Sequence, residues 1–169
     1  MFVLGIDPGV SRCGYGCVRR GAAGLEAVAG GAITTSPADP LPLRLGQLAG
    51  ELEALITELQ PDAVAVERVF FQVNARTAMS VGQASGLALA AAARAGCPVF
   101  EYTANEVKQA VAGYGSADKL SVQKMIQKIL ALPALPQPPD AADALALAVC
   151  HLAAAPVLAA AARQGGGSR

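Results

Sequence analysis

Residues Phe2 to Gly9 read FVLGIDPG, an apolar run that ends in one carboxylate, Asp7, and halts at once on Pro8 and Gly9. Phe, Val, Leu and Ile bounded by Pro and Gly predict a buried strand with Asp7 at its tip. A carboxylate in that position is costly to desolvate unless something positive meets it, a metal ion or a base. The rest of the chain is read for what Asp7 faces.

Outward from this strand, Cys13 to Arg19 (CGYGCVR) and Leu25 to Thr35 (LEAVAGGAITT) are Gly-punctuated apolar stretches. They predict a three-stranded antiparallel meander with the first strand. Pro37 and Pro40 break the chain before Leu41, Leu45, Leu48, Leu52, Leu55, Ile56 and Leu59 recur at helical spacing. Ala63 to Glu67 (AVAVE) is then a second short buried strand that ends on a carboxylate. Asn74 is a candidate cap for a helix through Arg94. Along that helix Ala78, Gly82, Gly86 and Ala90 form a ridge of small residues, suited either to packing on the sheet or to pairing with a second copy.

Pro98 to Tyr102 is the last predicted strand. A short helix from Ala104 to Ala112 follows, then a helix from Val122 whose outer face carries Lys124 and Lys128. The proline-rich stretch Leu132 to Pro139 delivers the chain to Asp140. The final helix is expected from Asp140 to about Ala162, kinked at Pro156. The whole reads as an α/β chain with one domain over residues 1–163 and a flexible tail over 164–169.

Asp140 and Asp143, at i and i+3, project from one side of the first turn of that last helix. Alone, acids at a helix start are ordinary capping. Their company changes the reading, because Asp7 and Glu67 end two strands that, if parallel, place both tips on the sheet edge where α/β folds hold their sites. Four carboxylates brought together there could not all stay ionised without a cation. Hard oxygen ligands suit Mg²⁺ or Mn²⁺. Two such ions, about 3.5–4 Å apart, are a recurring device for phosphodiester cleavage.

Composition sets limits on partners. Lys plus Arg and Asp plus Glu are 13 each, so net charge signals neither nucleic acid nor membrane. Setting four acids aside as ligands leaves a basic surplus of four. Cys13, Cys17, Cys97 and Cys150 include no C-x-x-C pair and are expected as free thiols in a reducing cytoplasm. Met1 leads into the first strand without a basic n-region, which argues against a secretory signal. Ala144 to Ala162 is apolar enough to resemble a membrane span, but His151, Pro156 and its Ala-rich composition favour a core helix.

Five segments in series carry a family resemblance: GIDPG with GYG at Gly14 to Gly16; VERVFF at Val66 to Phe71; Asn74 with GQASG at Gly82 to Gly86; FEY with VKQAVAGYGSADK from Val107 to Lys119; and DAADALALAVCH at Asp140 to His151. Together they resemble the RuvC family of bacterial Holliday-junction resolvases. The resemblance implies a ribonuclease-H-like fold, here a mixed sheet of three antiparallel and two parallel strands flanked by helices. It also implies a homodimer that nicks two opposed strands of a four-way junction and leaves ligatable ends.

Carried over by position, Asp7, Glu67, Asp140 and Asp143 would be the catalytic acids holding two Mg²⁺ or Mn²⁺ ions per subunit. Lys108 and Lys119 match family lysines near the scissile phosphates. Phe70 matches an aromatic that stacks on bases, with Phe71 beside it as an alternative platform. Arg12, Arg68 and Arg76 are candidates for non-catalytic DNA contacts, and Ser85 stands where the family often has Arg. RuvA and RuvB, the branch-migration proteins, are partners implied by family alone. His151 is read as a helix residue and not a ligand. A sugar-kinase-like ATPase lobe, suggested by GIDPG alone, lacks the second lobe and loop. A non-catalytic DNA-binding module fits poorly with four acids in place.

Overall fold

The computed structural model describes residues 1–68 and 75–165. Its elements are β1 (Phe2–Asp7), β2 (Arg12–Gly21), β3 (Gly24–Thr34), α1 (Leu41–Leu59), β4 (Ala63–Glu67), α2 (Ala75–Arg94), β5 (Val99–Tyr102), α3 (Ala104–Ala112), α4 (Lys119–Ile129) and α5 (Pro139–Gly165). The strands form one sheet in the order β3-β2-β1-β4-β5. β1, β2 and β3 pair antiparallel, as the Gly-punctuated apolar runs predict, and β4 and β5 add in parallel to β1, as the family resemblance implies.

Strand alternation divides the core between the two faces of this sheet. Leu4, Ile6, Cys13, Cys17, Val64 and Val66 pack with Leu48, Leu52 and Ile56 of α1 and with the alanines of α2. Val3, Val18 and Ala65 point the other way, into a cluster with α3, α4 and α5. Asp7 and Glu67 fall on this second face by the same alternation.

On that face α5 lies unusually deep. Gly5, Gly16 and Gly30 stand directly opposite one another across three strands. A Cβ built on Gly5 would come 1.9 Å from the carbonyl oxygen of Ala144, and one on Gly16 would come 2.6 Å from the amide of Leu145. The row of glycines is a groove in the sheet, and Ala144 and Ala148 are the small residues that sink into it. A helix buried nearly all round needs no polar face, which explains the apolar run from Ala144: residues 141–152 of α5 are core apart from half-buried Asp143.

α5 runs on through Pro156 to Gly165. Proline has no amide hydrogen to donate to the carbonyl four residues back, which is that of Leu152. A guanidinium nitrogen of Arg20, at the end of β2, donates to that carbonyl instead. Arg20→Met is expected to destabilise the fold by about 1–2 kcal/mol through the orphaned carbonyl. In a Pro156→Ala background, where an amide regains the bond, the same change should cost much less. Urea unfolding of the four members of this cycle reads the coupling.

Two expectations shift. α4 begins at Lys119, not near Val122, because the Asp118 side chain accepts from the Ser121 amide and caps the helix a turn earlier. The ridge of α2 does not pack on the sheet: a Cβ on Gly82 or Gly86 would meet nothing within 4 Å, and the buried side of α2 is Ala84, Ala88, Ala91 and Ala92. The four cysteines are free thiols.

Candidate active site

Parallel pairing of β1 with β4 sets Ile6 opposite Val66, so the residues that follow, Asp7 and Glu67, emerge side by side at one edge of the sheet. Asp7 also lies opposite Gly14 of β2, and a Cβ on Gly14 would come 2.2 Å from the carbonyl oxygen of Asp140. The glycine groove therefore seats the first turn of α5 directly over the strand tip, bringing Asp140 and Asp143 to Asp7. Burial, and then the neighbouring Glu67, push the Asp7 carboxyl up to about 8, with Asp143 and Asp140 adding to the effect. A cation among the carboxylates would relieve that crowding.

Two of the acids already face cations. Lys119 Nζ donates to Asp143 Oδ2 at 2.5 Å, and this bond is the main reason the ammonium is held above its ordinary range. Arg12 Nη1 donates to Asp140 Oδ2 at 3.4 Å. A cleft of about 390 Å³ is lined by Asp7, Glu67, Asp143, Lys108 and Lys119, with Val107, Val122 and Leu147 among its apolar walls. Asp140 is not part of that lining and is turned toward Arg12. Among the described residues no three carboxylate, His or Cys side chains converge on one coordination sphere as arranged. The donor set nevertheless fits a hard divalent cation: four carboxylates, with Asp7 half-buried among them and repelled by the others.

Of the remaining predicted residues, Arg68 is exposed, its amide donates to the Tyr102 carbonyl, and its charge acts on Glu106. Phe70, Phe71 and Asn74 lie outside the described residues, as does the side chain of Arg76 at the start of α2. Ser85 is only 6% exposed, so it is a buried hydroxyl and not a surface contact. His151 is core, its Nδ1 paired with the Tyr102 hydroxyl at 2.8 Å and its ring against Phe100. Burial lowers its pKa and keeps it neutral. Sequence reasoning missed Gly5 and the groove's role in placing Asp140. The available signal was alternate-position glycine, Gly14 and Gly16, on the face that also bears Asp7.

The family described as crossover junction endodeoxyribonuclease RuvC matches residues 3–151. The chain belongs to the RuvC family. RuvC of Syntrophomonas wolfei is 54% identical over 152 residues, covering 90% of this chain and 88% of that protein. RuvC of Chloroflexus aggregans is 53% identical, covering 94% and 96%. Among solved structures, Thermus thermophilus RuvC in complex with Holliday junction substrate superposes with a TM-score of 0.87 at 40% identity, covering 93% of this chain and 96% of that one. The yeast mitochondrial Holliday junction resolvase Ydc2, at 14% identity and a TM-score of 0.62, shares the fold. RuvC family membership thus agrees with the ribonuclease-H-like arrangement expected from the five motif segments.

Proposed function

We propose that this chain is a Holliday-junction resolvase that nicks two opposed strands of the junction symmetrically, leaving 5'-phosphate and 3'-hydroxyl ends for ligation in homologous recombination and repair. The observation that carries the reading is the placement of Asp7 and Glu67 on adjacent parallel strand tips beneath the acid-bearing first turn of α5. Asp7, Glu67, Asp140 and Asp143 would hold the metal. Two Mg²⁺ or Mn²⁺ ions per subunit would supply, when bound, the activation of water and the charge that meets the leaving oxygen.

The chain's own residues do the rest. Asp7, rigid on its strand, fixes the centre of the ligand set. Lys119, exposed at the first turn of α4, and Lys108, half-buried on α3, both line the cleft and would hold a phosphate by charge. Arg68 and Arg76 are assigned to backbone contacts and Phe70 to stacking near the crossover. Symmetric nicking needs two copies of the site, and the open Gly82 and Gly86 stripe with exposed Met79 supports a homodimer through α2. RuvA and RuvB would deliver the junction in the cytoplasm.

The test compares a synthetic four-way junction with linear duplex of the same sequence in Mg²⁺, Mn²⁺ and chelator. Metal-dependent paired nicks confined to the junction are expected. Cutting in chelator, or equal cutting of linear duplex, would refute the reading.

A further inference from the structure

We propose that Arg12 is the displaceable counter-ion of Asp140, and that its release links cation binding at the carboxylates to phosphate binding at the rim. The inference rests on the functional reading above and adds to it a coupling between two ligands.

The guanidinium touches Asp140 through one nitrogen, Nη1 to Oδ2 at 3.4 Å, with 55% of the Arg12 side chain exposed against 26% of Asp140. That is a loose, single contact, not the bidentate fork that makes an Arg–carboxylate pair strong. It has a geometric consequence. Asp7, Glu67 and Asp143 line the cleft, while Asp140 is drawn aside to Arg12. A divalent ion that recruits Asp140 through Oδ2, or through both oxygens, has to take that oxygen from the guanidinium. Arg12 cannot yield by losing a proton, since guanidinium stays charged throughout the working pH range, so it yields only by moving. Its backbone fixes where it goes: Arg12 is the first residue of β2, two positions before Gly14, which pairs with Asp7. The freed side chain therefore stays within one side-chain length of the strand tip, at the rim a nucleic-acid backbone has to cross.

Two effects follow from this exchange. Without DNA, Arg12 opposes the cation, competing for one of its oxygens. With DNA present, phosphate holds the guanidinium away, so each ligand strengthens the other, and the coupling is reciprocal. The Lys119–Asp143 pair differs, because both partners already line the cleft and Asp143 need not turn.

The test uses Arg12→Gln, with Arg12→Lys as the charge-retaining comparison and thermal melting to establish that both are folded. Calorimetric titration with Mn²⁺, without DNA and at fixed ionic strength, should show Arg12→Gln binding about two- to five-fold tighter than wild type, the range expected for an exposed ion pair. Arg12→Lys should fall between them. Anisotropy of a labelled four-way junction is then measured in chelator and in Ca²⁺. Wild type should gain affinity on adding Ca²⁺, and the gain should be smaller in Arg12→Gln by a similar factor. Unchanged or weaker Mn²⁺ binding by Arg12→Gln overturns the proposal, as does an undiminished gain with Ca²⁺. Wild-type protein that binds no Mn²⁺ would overturn the metal-dependent reading itself, a separate outcome from a wild type that binds both ligands with no role for Arg12.

Discussion

Asp7→Asn is expected to stop cleavage and, in chelator, to melt at a higher temperature than wild type. The two effects have one cause. Burial and the neighbouring Glu67 hold the Asp7 carboxyl up at about 8, far above the ordinary carboxylate range. Because the folded state clings to this proton and the unfolded chain does not, folding stability is lost as pH rises from about 4 to about 8. An amide has no such charge to bury, so the gain from Asp7→Asn should be absent below pH 4 and full above pH 8. A gain of about 1–2 kcal/mol corresponds to roughly 2–8 °C for a chain of this size. Adding Mg²⁺ should raise the melting temperature of wild type and move the variant much less. Cleavage should fall by about 10³-fold or more, since a ligand to ions that stabilise several kcal/mol of transition-state charge has been removed. A variant that melts lower than wild type in chelator at pH 8 would refute the account of a strained carboxylate.

Gly14→Ala should be nearly as damaging to activity without touching any acid. Its Cβ would fall 2.2 Å from the Asp140 carbonyl oxygen and 3.0 Å from the Asp140 Cβ, both on a packed helix with no flexible end to give way. α5 has to rise from the sheet, and Asp140 and Asp143 rise with it. Misplacement of about 1 Å in a catalytic group costs about 10²-fold, so the single-turnover rate at saturating junction and metal should drop by about that much. Overpacking should also cost about 1–3 kcal/mol of stability. Gly46→Ala and Gly50→Ala are the comparison: both sit on α1 with nothing within 4 Å of a new Cβ, so each should be neutral or stabilise by up to about 1 kcal/mol. A Gly14→Ala enzyme with the wild-type rate would mean the groove does not set the depth of the acids.

These cases show where sequence reading reaches and where it stops. α1 is legible because its leucines repeat at helical spacing, a local signal. Asp7 and Glu67 are legible because each ends an apolar run, and alternation then assigns both to one face. Gly5 and Gly14 read locally only as weak points in strands, since the backbone they admit belongs to a helix more than 120 residues away. The ridge of Gly82 and Gly86 left two partners open, because small residues report close approach without saying to what. The start of α4 turned on one capping carboxylate, Asp118, that competes with no apolar pattern. Arg12 could be placed near DNA by type and position, whereas its pairing with Asp140 depends on how far α5 sinks.

The pairing of β1 with β4 has a metrical consequence. Hydrogen-bonded strands lie about 4.8 Å apart, a length set by the peptide group and nearly the same in every sheet. Asp7 and Glu67 stand at the same level on neighbouring strands, so the backbone itself acts as a ruler between them. Their separation is protected from drift, because no core substitution can stretch a peptide hydrogen bond for long. The acids on α5 have no such gauge. Their height over the ruler is set by the bulk beneath the helix, which makes the floor of the groove, and not the carboxylates, the place where evolution or design would adjust this site.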